Sequence, residues 1–78
     1  MKDLLEFIVK PMLLFPNEMK IEEIVEPNSM LLKLSINKED MGKVIGKEGK
    51  IIKAIRTLLK VRGLLENQKI DLQLVEPL

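Results

Sequence analysis

Val44-Ile45-Gly46-Lys47-Glu48-Gly49-Lys50-Ile51-Ile52 sets two glycines three positions apart between an apolar dipeptide and the start of a helix-like apolar repeat, with lysines among them. Glycine at both ends of a four-residue turn permits a sharp reversal and lets a bulky anion approach the main chain without meeting a Cβ. Gly49 stands where the next helix opens, and the unpaired N–H groups and positive dipole end there favour a phosphate. The stretch reads as a small phosphate clamp. Its charge agrees: residues 38–62 hold eight Lys/Arg against three Asp/Glu, a net of +5. Residues 1–37 hold four against six and residues 63–78 one against three, so each flank is −2 and the overall +1 conceals a positive centre. That asymmetry suggests a patch facing a polyanion on an acidic body.

Outward from the glycines, the periodicity predicts a helix from about Gly49 to Arg62, with Ile51, Ile52, Ile55, Leu58 and Leu59 inward and Lys50, Lys53, Arg56 and Lys60 outward. Arg56 and Lys60 lie away from the glycine turn and are read as solvated. Gly63 is one place for the helix to end, while Leu64-Leu65 would carry it a further turn; the sequence leaves both open. Before the glycines, Asn37 can cap a short helix beginning at Lys38, with Glu39 and Asp40 in its first turn where carboxylates suit the dipole.

Met30, Leu32, Leu34 and Ile36 alternate with Leu31, Lys33 and Ser35, the pattern of a half-buried strand. It pairs back, through a Pro27-Asn28-Ser29 turn, on an imperfectly alternating strand from Met19 to Glu26. Ile70, Leu72 and Leu74 give a final strand. Leu4, Leu5, Phe7, Ile8 and Met12 share one side of a first helix from about Asp3 to Leu14. Pro11 must kink it, or break it and open a second short turn, and Pro16-Asn17 ends it. The order helix, strand, strand, helix, glycine turn, helix, strand fits a two-layer α+β sandwich with helices over one face of a sheet.

The 78 residues form one expected domain, 1–78, too small for a deep active-site cavity. At 46% hydrophobic, they can supply a packed core. The absence of cysteine and histidine removes disulfides, cysteine nucleophiles, imidazole acid–base chemistry and nearly all transition-metal sites. No catalytic residue, cofactor or metal is expected. No apolar run approaches the roughly 20 residues of a membrane span, and Met1-Lys2-Asp3 lacks a signal-peptide layout, so the expected location is cytoplasmic with no membrane partner. A nucleotide-hydrolysing loop fails on spacing, because it needs two glycines four residues apart and then Lys-Ser/Thr, and no hydroxyl follows Lys47 or Lys50.

Ile45-Gly46-Lys47-Glu48-Gly49 followed by Ile52 and Ile55 resembles the KH-domain pattern, an apolar residue, G-x-x-G, then isoleucines on the next helix. The element order is similar to the type II KH fold, which implies a domain of order α-β-β-α-α-β with a three-stranded mixed sheet and helices on one face. More closely, Asp40 to Lys50 and Ala54-Ile55-Arg56-Thr57-Leu58 resemble the small stand-alone bacterial KH proteins of the KhpA type. The resemblance implies a non-catalytic single-stranded RNA-binding protein, an RNA chaperone or post-transcriptional regulator, whose loop holds the sugar–phosphate backbone while about four bases lie in an apolar groove. Carried onto this chain, Gly46, Lys47, Glu48 and Gly49 form the clamp, Ile45, Ile52 and Val44 line the groove, and Lys43, Lys50 and Lys53 supply charge. Glu48 is a mild discord, since a carboxylate repels phosphate. The only aromatics, Phe7 and Phe15, are expected in the core, so stacking platforms are not. The alternative is a protein–protein adaptor or dimerisation module. The resemblance also implies a homodimer and pairing with a larger KH-containing protein of the KhpB (Jag-like) type.

Overall fold

A computed structural model describes residues 1–75. The elements are α1 (Lys2–Val9), β1 (Lys20–Glu26), β2 (Ser29–Ser35), α2 (Met41–Ile45), α3 (Lys50–Leu65) and β3 (Lys69–Val75). The sheet order is β1-β2-β3, with β2 antiparallel to β1 and parallel to β3. This is the α+β arrangement of a type II KH fold, with a mixed sheet. Register puts Ile21, Leu34 and Leu74 in one row and Glu23, Leu32 and Leu72 in another. Rows in register share a sheet face, which is why alternation in β2 and β3 is clean. The buried face of β2 and β3 carries Leu32, Leu34, Ile70 and Leu72; α1 adds Leu5 and Val9, and α3 adds Ile52, Ile55 and Leu59. Each such side chain contributes about 1.5–3 kcal/mol by leaving water. β1 is different. It is an outer strand exposed over most of its length, and its imperfect alternation places Glu23 on the helix-covered face.

The first helix stops at Val9, five residues short of the expected Leu14. Lys10–Met12 forms a separate 3₁₀ turn with Pro11 near its start, so of the two outcomes open for Pro11 the chain takes the break. Phe7 is 79% exposed and Phe15 37% exposed, correcting their assignment to the core. Phe7 lies two residues from Leu5 and Val9, which turns it about 200° round the helix from each.

The connector after α1 is held by Asp40. This residue, expected as a carboxylate facing a helix dipole, is instead fully buried. Its Oδ1 accepts from the Leu14 N–H at 2.8 Å and its Oδ2 from the Phe15 N–H at 3.0 Å. Two main-chain donors satisfy a carboxylate that burial would otherwise penalise. Asn37 caps as expected, its side chain accepting from Glu39 N–H at 2.8 Å.

Gly63 does not end α3. The helix runs on to Leu65 and closes through Asn67, whose φ of 56° is left-handed. Gly63 is buried because β3 begins against it: a Cβ there would stand 2.5 Å from the Gln68 carbonyl oxygen and 2.9 Å from Ile70 Cγ1.

Candidate functional site

The short helix α2 ends because Gly46 adopts φ 76°, ψ 174°, a conformation that is essentially reserved for glycine. Its N–H still reaches the Gly42 carbonyl at 2.9 Å, so the last turn of α2 is closed before the chain reverses. Lys47, Glu48 and Gly49 then make one tight turn, with Gly49 N–H donating to the Gly46 carbonyl at 3.1 Å. Gly49, at φ 73°, ψ 16°, stands at the head of α3.

The two glycines are required for different reasons. A Cβ on Gly46 would meet Ile51 Cγ1 at 2.5 Å and Ile51 Cβ at 2.8 Å, so the loop is closed down on the first turn of α3. A Cβ on Gly49 would find only Ile52 Cγ2 at 4.0 Å; there the left-handed backbone alone demands glycine. Glu48, between them, is left-handed as well, at φ 57°, ψ 23°.

Around this turn the expected residues divide. Lys43 on α2, Lys47 and Glu48 in the turn, and Lys50 and Lys53 on α3 are exposed, while Gly46, Gly49 and Ile45 are half-buried. Among the described residues the ion pairs are Lys10 with Glu6 and Arg62 with Glu66, both remote from the loop, so the four lysines there carry unneutralised charge. Val44 is fully buried in the core and Ile52 only 7% exposed. Val44 therefore serves packing rather than a groove, a correction to its expected place. Ile52 presents no more than an edge, and Ile45 is the groove candidate with free surface.

Three residues of α3 depart from their expected places. Ile51, expected inward, is 38% exposed and fills the space beneath Gly46. Leu58, also expected inward, is 54% exposed. Arg56, expected to be merely solvated, is half-buried, and its Nε–H donates to the Leu72 carbonyl at 3.3 Å, crossing from α3 to the outer strand β3. Its position four residues beyond Ile52 and three before Leu59, at the border of the buried strip, was the available signal.

Residues 2–74 match the family model described as KhpA/KhpB, KH domain. The chain is 43% identical over 75 residues to the RNA-binding protein KhpA of Clostridium acetobutylicum, covering 96% of this chain and 100% of that protein. It is 45% identical over 76 residues to the RNA-binding protein KhpA of Listeria monocytogenes, covering 97% of this chain and 100% of the relative. The protein of the same name from Chlamydia trachomatis is 42% identical over 76 residues, 97% of each chain.

Proposed function

The chain belongs to the KhpA/KhpB KH-domain family, and from that premise we propose that it binds single-stranded RNA without catalysing a reaction, as a cytoplasmic RNA chaperone or post-transcriptional regulator. Residues 1–78 act as one KH domain. The relatives matched over nearly their whole length are named as RNA-binding proteins, and the loop geometry suits that ligand. The observation that carries the reading is the Gly46–Gly49 turn, left-handed at both glycines and ringed by Lys43, Lys47, Lys50 and Lys53, none of which forms an ion pair among the described residues. Main-chain N–H groups position the phosphates there, and the lysines add affinity that is independent of sequence. Ile45 and the exposed edge of Ile52 offer apolar contact to a base beside the clamp.

Replacing Lys47 and Glu48 together by aspartate tests this. Both side chains are exposed, so circular dichroism and melting should be nearly unchanged while RNA retention on a filter falls at least about tenfold. Unchanged retention refutes the assignment.

A second reading, self-association, is favoured by one feature of α3. Ile51, Ala54, Leu58, Val61 and Leu65 recur at intervals of three and four residues and form an exposed stripe beside the buried one. Leu58, Val61 and Leu65 are 54%, 52% and 79% exposed. Apolar residues at this spacing are the seam by which one helix packs on another, and the occupant it fits is the same helix of a second copy or of a related KH domain such as that of KhpB. The stripe starts at Ile51 beneath the clamp and runs away from it to Leu65, so pairing through Leu58, Val61 and Leu65 leaves the glycine turn open to RNA.

A further inference from the structure

The chain holds a second feature of the same chemical character as the clamp, at the far end of α3. A recess of about 440 Å³ lies where α3 turns into β3, lined by Lys60, Leu64, Asn67, Gln68, Lys69 and Ile70. Its chemistry is mixed in a specific way. Lys60 and Lys69 are exposed cations on two elements, Asn67 and Gln68 supply side-chain amides, and Leu64, 76% exposed, gives an apolar wall above the buried Ile70. Among the described residues no carboxylate lines it. A nucleotide needs these groups: ammonium for phosphate, amide donors and acceptors for a base edge, and an apolar surface for a base face.

The recess is also placed to receive the strand that the clamp holds. Lys53, Arg56 and Lys60 follow one another at intervals of three and four along α3, so they form one strip on its surface. Arg56 bonds the Leu72 carbonyl in the middle of β3, and Lys60 shares the recess with Lys69 and Ile70 at the start of β3. The strip therefore borders the seam between α3 and β3 from the clamp to the recess. Gly49 and Lys60 are separated by about 16 Å of helix, which a polynucleotide spans and a mononucleotide does not.

The geometry points to an extended RNA path: the recess of Lys60, Asn67, Gln68 and Lys69 is a second contact for the strand gripped at Gly46–Gly49, reached along Lys53 and Arg56. This rests on the RNA-binding reading above. The test compares mixed-sequence oligoribonucleotides of about 4 and about 8 nucleotides on the wild-type protein and on the Lys60→Gln, Lys69→Gln double variant, whose exposed substitutions spare the core. The wild type should bind the longer strand about tenfold more tightly than the shorter, and the double variant should lose that gain while binding the shorter one unchanged. The slope of log affinity against log salt for the longer strand should become shallower by about 1.4 in the variant, two single-strand phosphate contacts. Equal wild-type affinity for both lengths, or an equal loss for both in the variant, overturns the extended path while leaving the RNA reading standing. Retention of neither strand by the wild type overturns that reading itself. If uridine monophosphate alone saturates the recess, perturbing the Asn67–Lys69 amides with no length gain, the site is one for free nucleotides and the extended path is wrong.

Discussion

Glu48 is the residue in the turn that pays conformationally for its position. At φ 57° it sits where a Cβ is disfavoured by about 1–2 kcal/mol, whereas its neighbours Gly46 and Gly49 occupy positive φ freely. Asp40 poses the opposite case, a residue whose side chain is fully used. Asp40→Asn would set an amide N–H₂ against one of the two backbone donors at Leu14 and Phe15. The expected loss is about 2 kcal/mol, read as a lower urea midpoint with unchanged slope. An unchanged midpoint would mean that the connector is held by something other than this carboxylate. The carboxylate's role was hidden in the sequence because its partners lie 26 and 25 residues earlier, and an acidic residue at the start of a helix has an ordinary local explanation.

At the scale of elements, α3 does three things with three strips. Ile52, Ile55, Leu59 and Gly63 face the sheet, Lys53, Arg56 and Lys60 follow the seam with β3, and Ile51, Leu58, Val61 and Leu65 stand open. Sequence periodicity puts Ile51 and Leu58 of the third strip with the first, since a 3.6-residue repeat finds a wide apolar arc without saying where the core stops and an exposed face begins. Self-association through the open strip makes a specific expectation. Val61→Asp should leave the monomer fold intact, because Val61 is 52% exposed, and should shift sedimentation at micromolar concentration from dimer to monomer. A wild-type protein that sediments as a monomer rules the seam out. The strands, the capping Asn37 and the glycine turn were all legible, because alternation, cap chemistry and positive φ are local properties. The boundaries near Val9 and Leu65 were not. The first depends on which of two options Pro11 takes. The second depends on Gly63 being needed for contact with Gln68 and Ile70, so that a glycine resembling a stop signal marks close packing.

For the whole molecule, the division of charge governs how binding responds to salt. With a net of +5 confined to residues 38–62 and −2 on each flank, attraction for a polyanion is expected of that segment rather than of the protein as a whole. For a short strand neutralised at about three or four phosphates, log affinity should fall with log salt at a slope near −2 to −3, measured by fluorescence anisotropy. A slope near zero would point to a protein ligand for this surface. That +5 was visible by counting residues; which of its members border β3 was not, since it depends on how α3 rests on the sheet.

α3 is also anchored at both ends. Beneath Gly46 the side chain of Ile51 leaves no room, and at Gly63 the strand presses on the helix backbone itself. A rod fixed at two points cannot slide by a turn. If the turn holds a polynucleotide as proposed, it meets that polymer already shaped, and the entropy that many small binders surrender in ordering a loop on contact has been surrendered during folding.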